Sequence, residues 1–148
     1  MAISVLINKT LTAQATVPST QQRLGVAEGL YNNDHFTLVV KVGGLPSGVT
    51  VAKAYLTVKQ LPTDADPGIV QKAITSAAVT GTGQITDTGS SSSMASLQFD
   101  LVPADTILLT ALSQYAWDVQ WIDQQGLVHT AIGDSTLIAG QGVTAAVS

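Results

Sequence analysis

The feature that most constrains this chain is alternation: in segment after segment, every second residue is apolar. Phe36, Leu38, Val40 and Val42 fall on one side of one run, and Leu97, Phe99 and Leu101 on one side of another. Ala52, Ala54, Leu56 and Val58 alternate with Lys53, Tyr55, Thr57 and Lys59. Tyr115, Trp117, Val119 and Trp121 alternate with Ala116, Asp118, Gln120 and Ile122. Successive side chains of a strand point to opposite faces, so this period of two specifies half-buried antiparallel strands.

Turn signals separate the runs. They include Gly43-Gly44-Leu45-Pro46-Ser47-Gly48, Asp64-Ala65-Asp66-Pro67-Gly68 and Asp123-Gln124-Gln125-Gly126, where Gly126 can take the left-handed position. Weaker strand patterns occupy 3–7, 11–17, 69–74, 78–87, 127–132 and 135–139, with Gly133-Asp134 expected as a turn before the last. Gly89 to Ser93 is a low-complexity tip. Pro103 and Asp105 suit the first turn of the one helical segment expected, near 104–111. About eight short strands punctuated in this way predict an all-β, antiparallel β-sandwich, Ig-like or jelly-roll-like, with a partly closed barrel as the alternative.

Composition agrees. Val, Ile and Thr supply more than a quarter of the 148 residues, while Glu28 and Arg23 are the only glutamate and arginine. β-Branched side chains lose freedom in helices and pack well on pleated surfaces. Cysteine is absent, which excludes disulfides and thiolate metal sites. Charged residues make up 11% of the chain, well under the roughly 25% usual in soluble domains. With a net charge of −4 and six scattered basic residues, nucleic-acid binding is not expected. All six lie at or before Lys72, and only acids follow. An antiparallel sandwich interleaves its halves, so this asymmetry is expected to disappear in space.

A mean hydropathy of +0.32 without any run of 18 apolar residues excludes a spanning helix and leaves apolar surface to be hidden elsewhere. Copies of the chain or partner proteins are the expected cover. The apolar start is too short for a signal h-region. Residues 1–20 are expected to form an N-terminal strand arm, with Ile3, Val5, Leu6 and Ile7 reaching a neighbouring subunit by strand addition. Residues 21–148 are expected to form one sandwich domain.

Residues with chemical potential are few. His35 and His129 lack ligand-spaced partners apart from Asp34, so neither metal binding nor base catalysis is expected of them. Asp64 and Asp66 resemble the start of a calcium loop, but the downstream Glu is missing and a turn explains them better. There is no nucleophile elbow and no phosphate-binding glycine loop. The acids sit mostly in turns, away from the paired arrangement a glycosidase needs. The expectation is therefore a non-enzyme without cofactors. Tyr115, Trp117 and Trp121 share a face and could serve the core, an interface or a glycan-stacking platform.

The closing segment, Phe99-Asp100-Leu101, Asp105-Thr106, Tyr115-Ala116-Trp117-Asp118-Val119, Gly126-Leu127-Val128-His129-Thr130, Gly133 and Val143-Thr144, resembles small β-sandwich domains of tailed-bacteriophage virion proteins. Such domains occur in baseplate, tail-fibre and head- or neck-attached proteins. The resemblance covers the last third of the chain and rests on strand-and-turn grammar. It implies a structural subunit of the virion, made in the host cytoplasm, whose partners are itself and other virion proteins. It carries no catalytic residue. The alternative expectation is a carbohydrate-binding sandwich that recognises a cell-surface glycan.

Overall fold

A computed structural model of the chain describes residues 9–16, 26–27, 35–66, 68–91, 93–110 and 113–138. The strands are β1 (Lys9–Thr16), β2 (Val26–Ala27), β3 (Phe36–Gly43), β4 (Val51–Lys59), β5 (Val70–Ile74), β6 (Gly83–Thr88), β7 (Ala95–Leu101), β8 (Gln114–Asp123) and β9 (Val128–Ile138), with one helical turn, α1 (Pro103–Thr106), between β7 and β8. A four-stranded sheet in the order β1-β3-β7-β6 faces a five-stranded sheet in the order β2-β9-β8-β4-β5. The protein is an all-β sandwich.

The alternating runs place the core. Phe36, Leu38, Val40 and Val42 of β3 and Leu97, Phe99 and Leu101 of β7 are buried from one sheet. Leu56 and Val58 of β4 and Trp117, Val119 and Trp121 of β8 are buried from the other. Full burial of one such side chain contributes about 1.5–3 kcal/mol. Their partners in alternation, such as Thr37, Lys41, Tyr55, Asp118 and Gln120, are only partly covered on the outer faces.

Four local details correct or refine the expectations. Ala52 does not share the buried face of β4. A bulge between Val51 and Lys53 makes it the extra residue, so Val51 is buried and Ala52 exposed. Gly133-Asp134 is not a turn but lies inside β9, where two residues stand opposite Asp118 alone. The helix is one turn, capped by the Asp105 carboxylate, which accepts the Val102 N–H at 2.9 Å. The strand expected from 78 begins only at Gly83, because Val79 and Gly83 form a bridge that turns the chain. Gly83 is confined to glycine: its φ is +127°, and a Cβ there would meet the Gln98 carbonyl oxygen at 2.0 Å.

The N-terminal arm is also revised in part. β1 pairs with β3 of the same chain over Lys9↔Phe36 to Thr16↔Gly43, so this stretch completes the chain's own sheet. The pairing is parallel, as is that of β2 with β9; all other pairings are antiparallel. Parallel neighbours cannot be joined by a tight hairpin, and β2 lies between β1 and β3 in chain order. Ile3, Val5, Leu6 and Ile7 lie outside the described residues.

Register fixes the two ends of the sandwich. Val42 opposite Ala95 and Val51 opposite Asp123 bring together loops 44–50, 89–94 and 124–127. This is the hairpin end. Phe36 opposite Leu101 and Lys59 opposite Ala116 bring loop 60–69, α1 and the start of β8 to the other, the helix end.

Candidate functional site: a polar cleft at the helix end

The outer face of the five-stranded sheet is lowest where β8 carries Ala116. In the register Ala116 lies between Lys59 of β4 and Thr136 of β9, so one methyl group separates two larger neighbours. One step along β8, Asp118 pairs with Thr57 on one side and faces the Gly133-Asp134 bulge on the other. The depression forms a cleft of about 350 Å³, with Thr57, Lys59, Gln60, Gln114, Asp118 and Thr136 among its lining. Pro62, at the end of β4, closes one side. Bulges bend a strand and re-aim its side chains, and here the bulge lies beside Asp118, the one carboxylate among the described lining residues.

The charges of the cleft are unequally satisfied. Lys59 Nζ lies 2.8 Å from Asp66 Oδ1; the lysine side chain is largely covered, whereas that of Asp66 is 72% exposed. The half-buried carboxyl of Asp118 is held above the ordinary carboxylate range, chiefly because burial disfavours its charged form. Lys59 opposes that shift and Asp66 reinforces it. Among the described residues, the Asp118 carboxylate makes no hydrogen bond or salt bridge. Thr57 is engaged through its hydroxyl, which accepts from Gln71 Nε2 at 3.1 Å.

The aromatic residues singled out in the sequence occupy a different place from a glycan platform. Trp121 is 1% exposed, and Tyr115 and Trp117 are each 6% exposed, so no ring face is open for sugar stacking or for a neighbouring subunit. The phase of β8 that buries Val119 necessarily turns these rings inward as well. The Tyr115 hydroxyl accepts the Thr110 N–H at 2.6 Å and ties the loop after α1 to the start of β8. Among the described residues, the indole N–H of Trp117 has no partner. Trp121 stacks on His129 with ring centroids 4.2 Å apart.

His129 belongs to a structural network. Its Nε2 lies 3.0 Å from Asp123 Oδ2, and Asp123 Oδ1 accepts the N–H groups of Gln125 at 2.8 Å and Leu127 at 3.0 Å. The hydrogen bond to His129, then those to the backbone, hold the Asp123 carboxyl below its ordinary range. Gly126 takes the expected positive φ, +87°, within this turn. Asp64 likewise serves a turn, accepting the Leu61 N–H at 3.0 Å. Among the described residues, no group of three or more His, Cys, Asp and Glu converges to hold a metal ion. None of their helices is long and apolar enough to cross a membrane.

The alternation did not reveal the cleft. Asp118 was legible as an outward residue, but its proximity to Lys59, Thr136 and Asp66 arises only from cross-strand register and the fold of loop 60–69. Comparison with known protein families and with curated proteins gives no match to this chain.

Proposed function

We propose that this chain is a non-enzymatic structural module of a tailed-phage particle, acting through contacts with copies of itself and with other particle proteins. One observation carries the reading. At the helix end, Leu61, Val79, Ile107 and Leu108 are each more than half exposed, although the core between the sheets holds two dozen buried apolar side chains. Met94, Leu127 and Val128 are exposed at the hairpin end as well, so apolar surface is left at both ends, and such side chains contribute most when a neighbour covers them, at about 25 cal/mol per Å² before the costs of association.

The architecture supports the same reading. With the two-residue β2 left aside, the order β1-β3-β7-β6 over β9-β8-β4-β5 is compatible with the two-sheet arrangement of immunoglobulin-like sandwiches. A tyrosine at the start of β8, bonded back to the preceding loop, matches their tyrosine corner. The parallel pairing of β1 is a departure from an all-antiparallel pattern. Such modules are built into larger assemblies as rigid units whose end loops make the contacts. This is the class that the closing hairpin resembles.

The test is the mass of the full chain in solution at micromolar concentration, by light scattering. A defined oligomer is expected, and a strict monomer throughout that range would overturn the self-association. Mass spectrometry of purified phage particles from the source strain tests the location: peptides of the chain are expected there, and their absence would reject it.

A further inference from the structure

We propose that the cleft over Ala116 binds a neutral sugar ring through Asp118. This goes beyond the assembly reading and does not depend on it. It also moves glycan recognition away from the buried faces of Trp117 and Trp121, where the sequence had suggested it.

The lining selects the ligand class by elimination. Among the described residues Lys59 is the one cation in the lining, and its ammonium is already paired with Asp66, so the Asp118 carboxylate tips the balance of these groups negative. An anionic ligand would meet that excess. A wholly apolar ligand would strip water from Asp118, Gln60 and Gln114 and return no hydrogen bonds, which is costly. A lone ammonium or guanidinium would satisfy Asp118 and leave the amides and hydroxyls idle.

Sugar hydroxyls both donate and accept. A carboxylate is acceptor-only with two oxygens, which suits a pair of adjacent hydroxyls, while Gln60, Gln114 and Thr136 can serve either role. Asp118 is half-buried and lacks a donor among the described residues, so it is the group with most to gain. The Ala116 methyl and the Pro62 ring offer a small apolar floor for the C–H face of the sugar. At about 350 Å³ the cleft lies at the small end of ligand sites, which fits a mono- or disaccharide and not a long chain segment.

The experiment is saturation-transfer NMR of the full chain with glucose, galactose, N-acetylglucosamine and rhamnose, each titrated separately, with methylguanidinium as the cationic comparison. At least one sugar should bind saturably with a dissociation constant on the order of 1 mM. Asp118→Ala should weaken that binding roughly tenfold or more, the loss expected for a charged hydrogen-bond acceptor. Ala116→Leu should abolish it by filling the cleft. Thermal unfolding of each variant checks the fold, and Thr136→Leu blocks the same space from β9 should Ala116→Leu not fold. Three results would overturn the proposal: no saturable binding by any of these sugars, binding unchanged in both the Asp118 and the blocking variants, or saturable binding by methylguanidinium alone.

Discussion

The two ends of the sandwich close the same strands by different means. At the hairpin end the loops are stitched by hydrogen bonds aimed mostly at the main chain, from neutral groups and from the Asp123 carboxylate. The Leu45 N–H donates to the Ser93 carbonyl at 3.0 Å. The Gln124 side chain accepts the Thr50 N–H at 2.9 Å and donates back to the Gly48 carbonyl. Asp123, 5% exposed, gathers two backbone N–H groups and His129. At the helix end the ties are ionic. Lys72 reaches Asp105 at 2.6 Å and the Gly81 carbonyl at 2.8 Å, and Lys59 reaches Asp66.

The difference separates two tasks. Hydrogen bonds centred on the buried Asp123, joined by the exposed ones of Gln124, hold the loops of the hairpin end in one geometry. Partly exposed ion pairs contribute little to stability. The helix end leaves four large aliphatic side chains and a half-buried carboxylate uncovered, against Met94, Leu127 and Val128 at the hairpin end, so it is the better equipped of the two to meet something else.

Removing hydrophobic mass behind the hairpin end should have the largest effect. Trp121→Ala empties a site that is 1% exposed and removes the ring on which His129 stacks. The expected loss is on the order of 3–5 kcal/mol, measured by chemical denaturation. A loss below about 1 kcal/mol would show that this end is loosely packed and that the contrast between the ends is wrong.

Asp123→Asn comes next. The folded-state pKa of Asp123 is lowered, so its contribution is fully present above the ordinary carboxylate value, about 3.9, and is lost as pH falls through the lowered folded value. The wild type should therefore lose stability on that acid limb, and Asp123→Asn should be less stable at neutral pH with a flatter limb. An unchanged slope between about pH 5 and 2, followed by thermal melts, would remove Asp123 from this role.

At the helix end the ion pairs should rank by burial. Lys72→Ala leaves Asp105 with only the Val102 N–H and takes the ammonium donor from the Gly81 carbonyl in partly covered surroundings, at a cost of about 1–3 kcal/mol. Lys59→Ala breaks a pair whose acid is mostly in solvent, at about 0–1 kcal/mol. Equal losses, measured by denaturation at two salt concentrations, would show that burial does not set the ranking.

This contrast also shows what alternation can and cannot convey. Phe36, Leu38, Val40, Trp117 and Val119 were legible because a period of two assigns every residue of a run at once. The same face of β8 carries Tyr115, Trp117 and Trp121, and a row of aromatic rings fits a core and a stacking platform alike until the facing sheet covers it. Gly133-Asp134 signals a turn and a bulge equally well, and only the partner strand decides between them. The β4 bulge at Ala52 is silent in sequence for the same reason. The cleft depends on three strands in register, and no single run of residues contains it.

The smallest expected effect on stability is the most informative about function. Ile107→Ser with Leu108→Ser replaces two side chains that are 57% and 56% exposed, so the fold should change by no more than about 0.5 kcal/mol. If the helix end is an association surface, the same double variant should be monomeric where the wild type is not. Ionic strength then distinguishes the force involved. Raising salt from about 0.05 to 1 M shortens the screening length to roughly 3 Å, which weakens exposed ion pairs and leaves apolar burial intact. The wild-type oligomer should survive that change, because two or three covered aliphatic side chains outweigh exposed charge pairs contributing about 0–1 kcal/mol each. An oligomer that dissociates in salt while tolerating the double serine variant would reverse the assignment. Lys59, Asp66, Lys72 and Asp105 would then be the contact, and the separation of basic and acidic residues along the chain would be its cause.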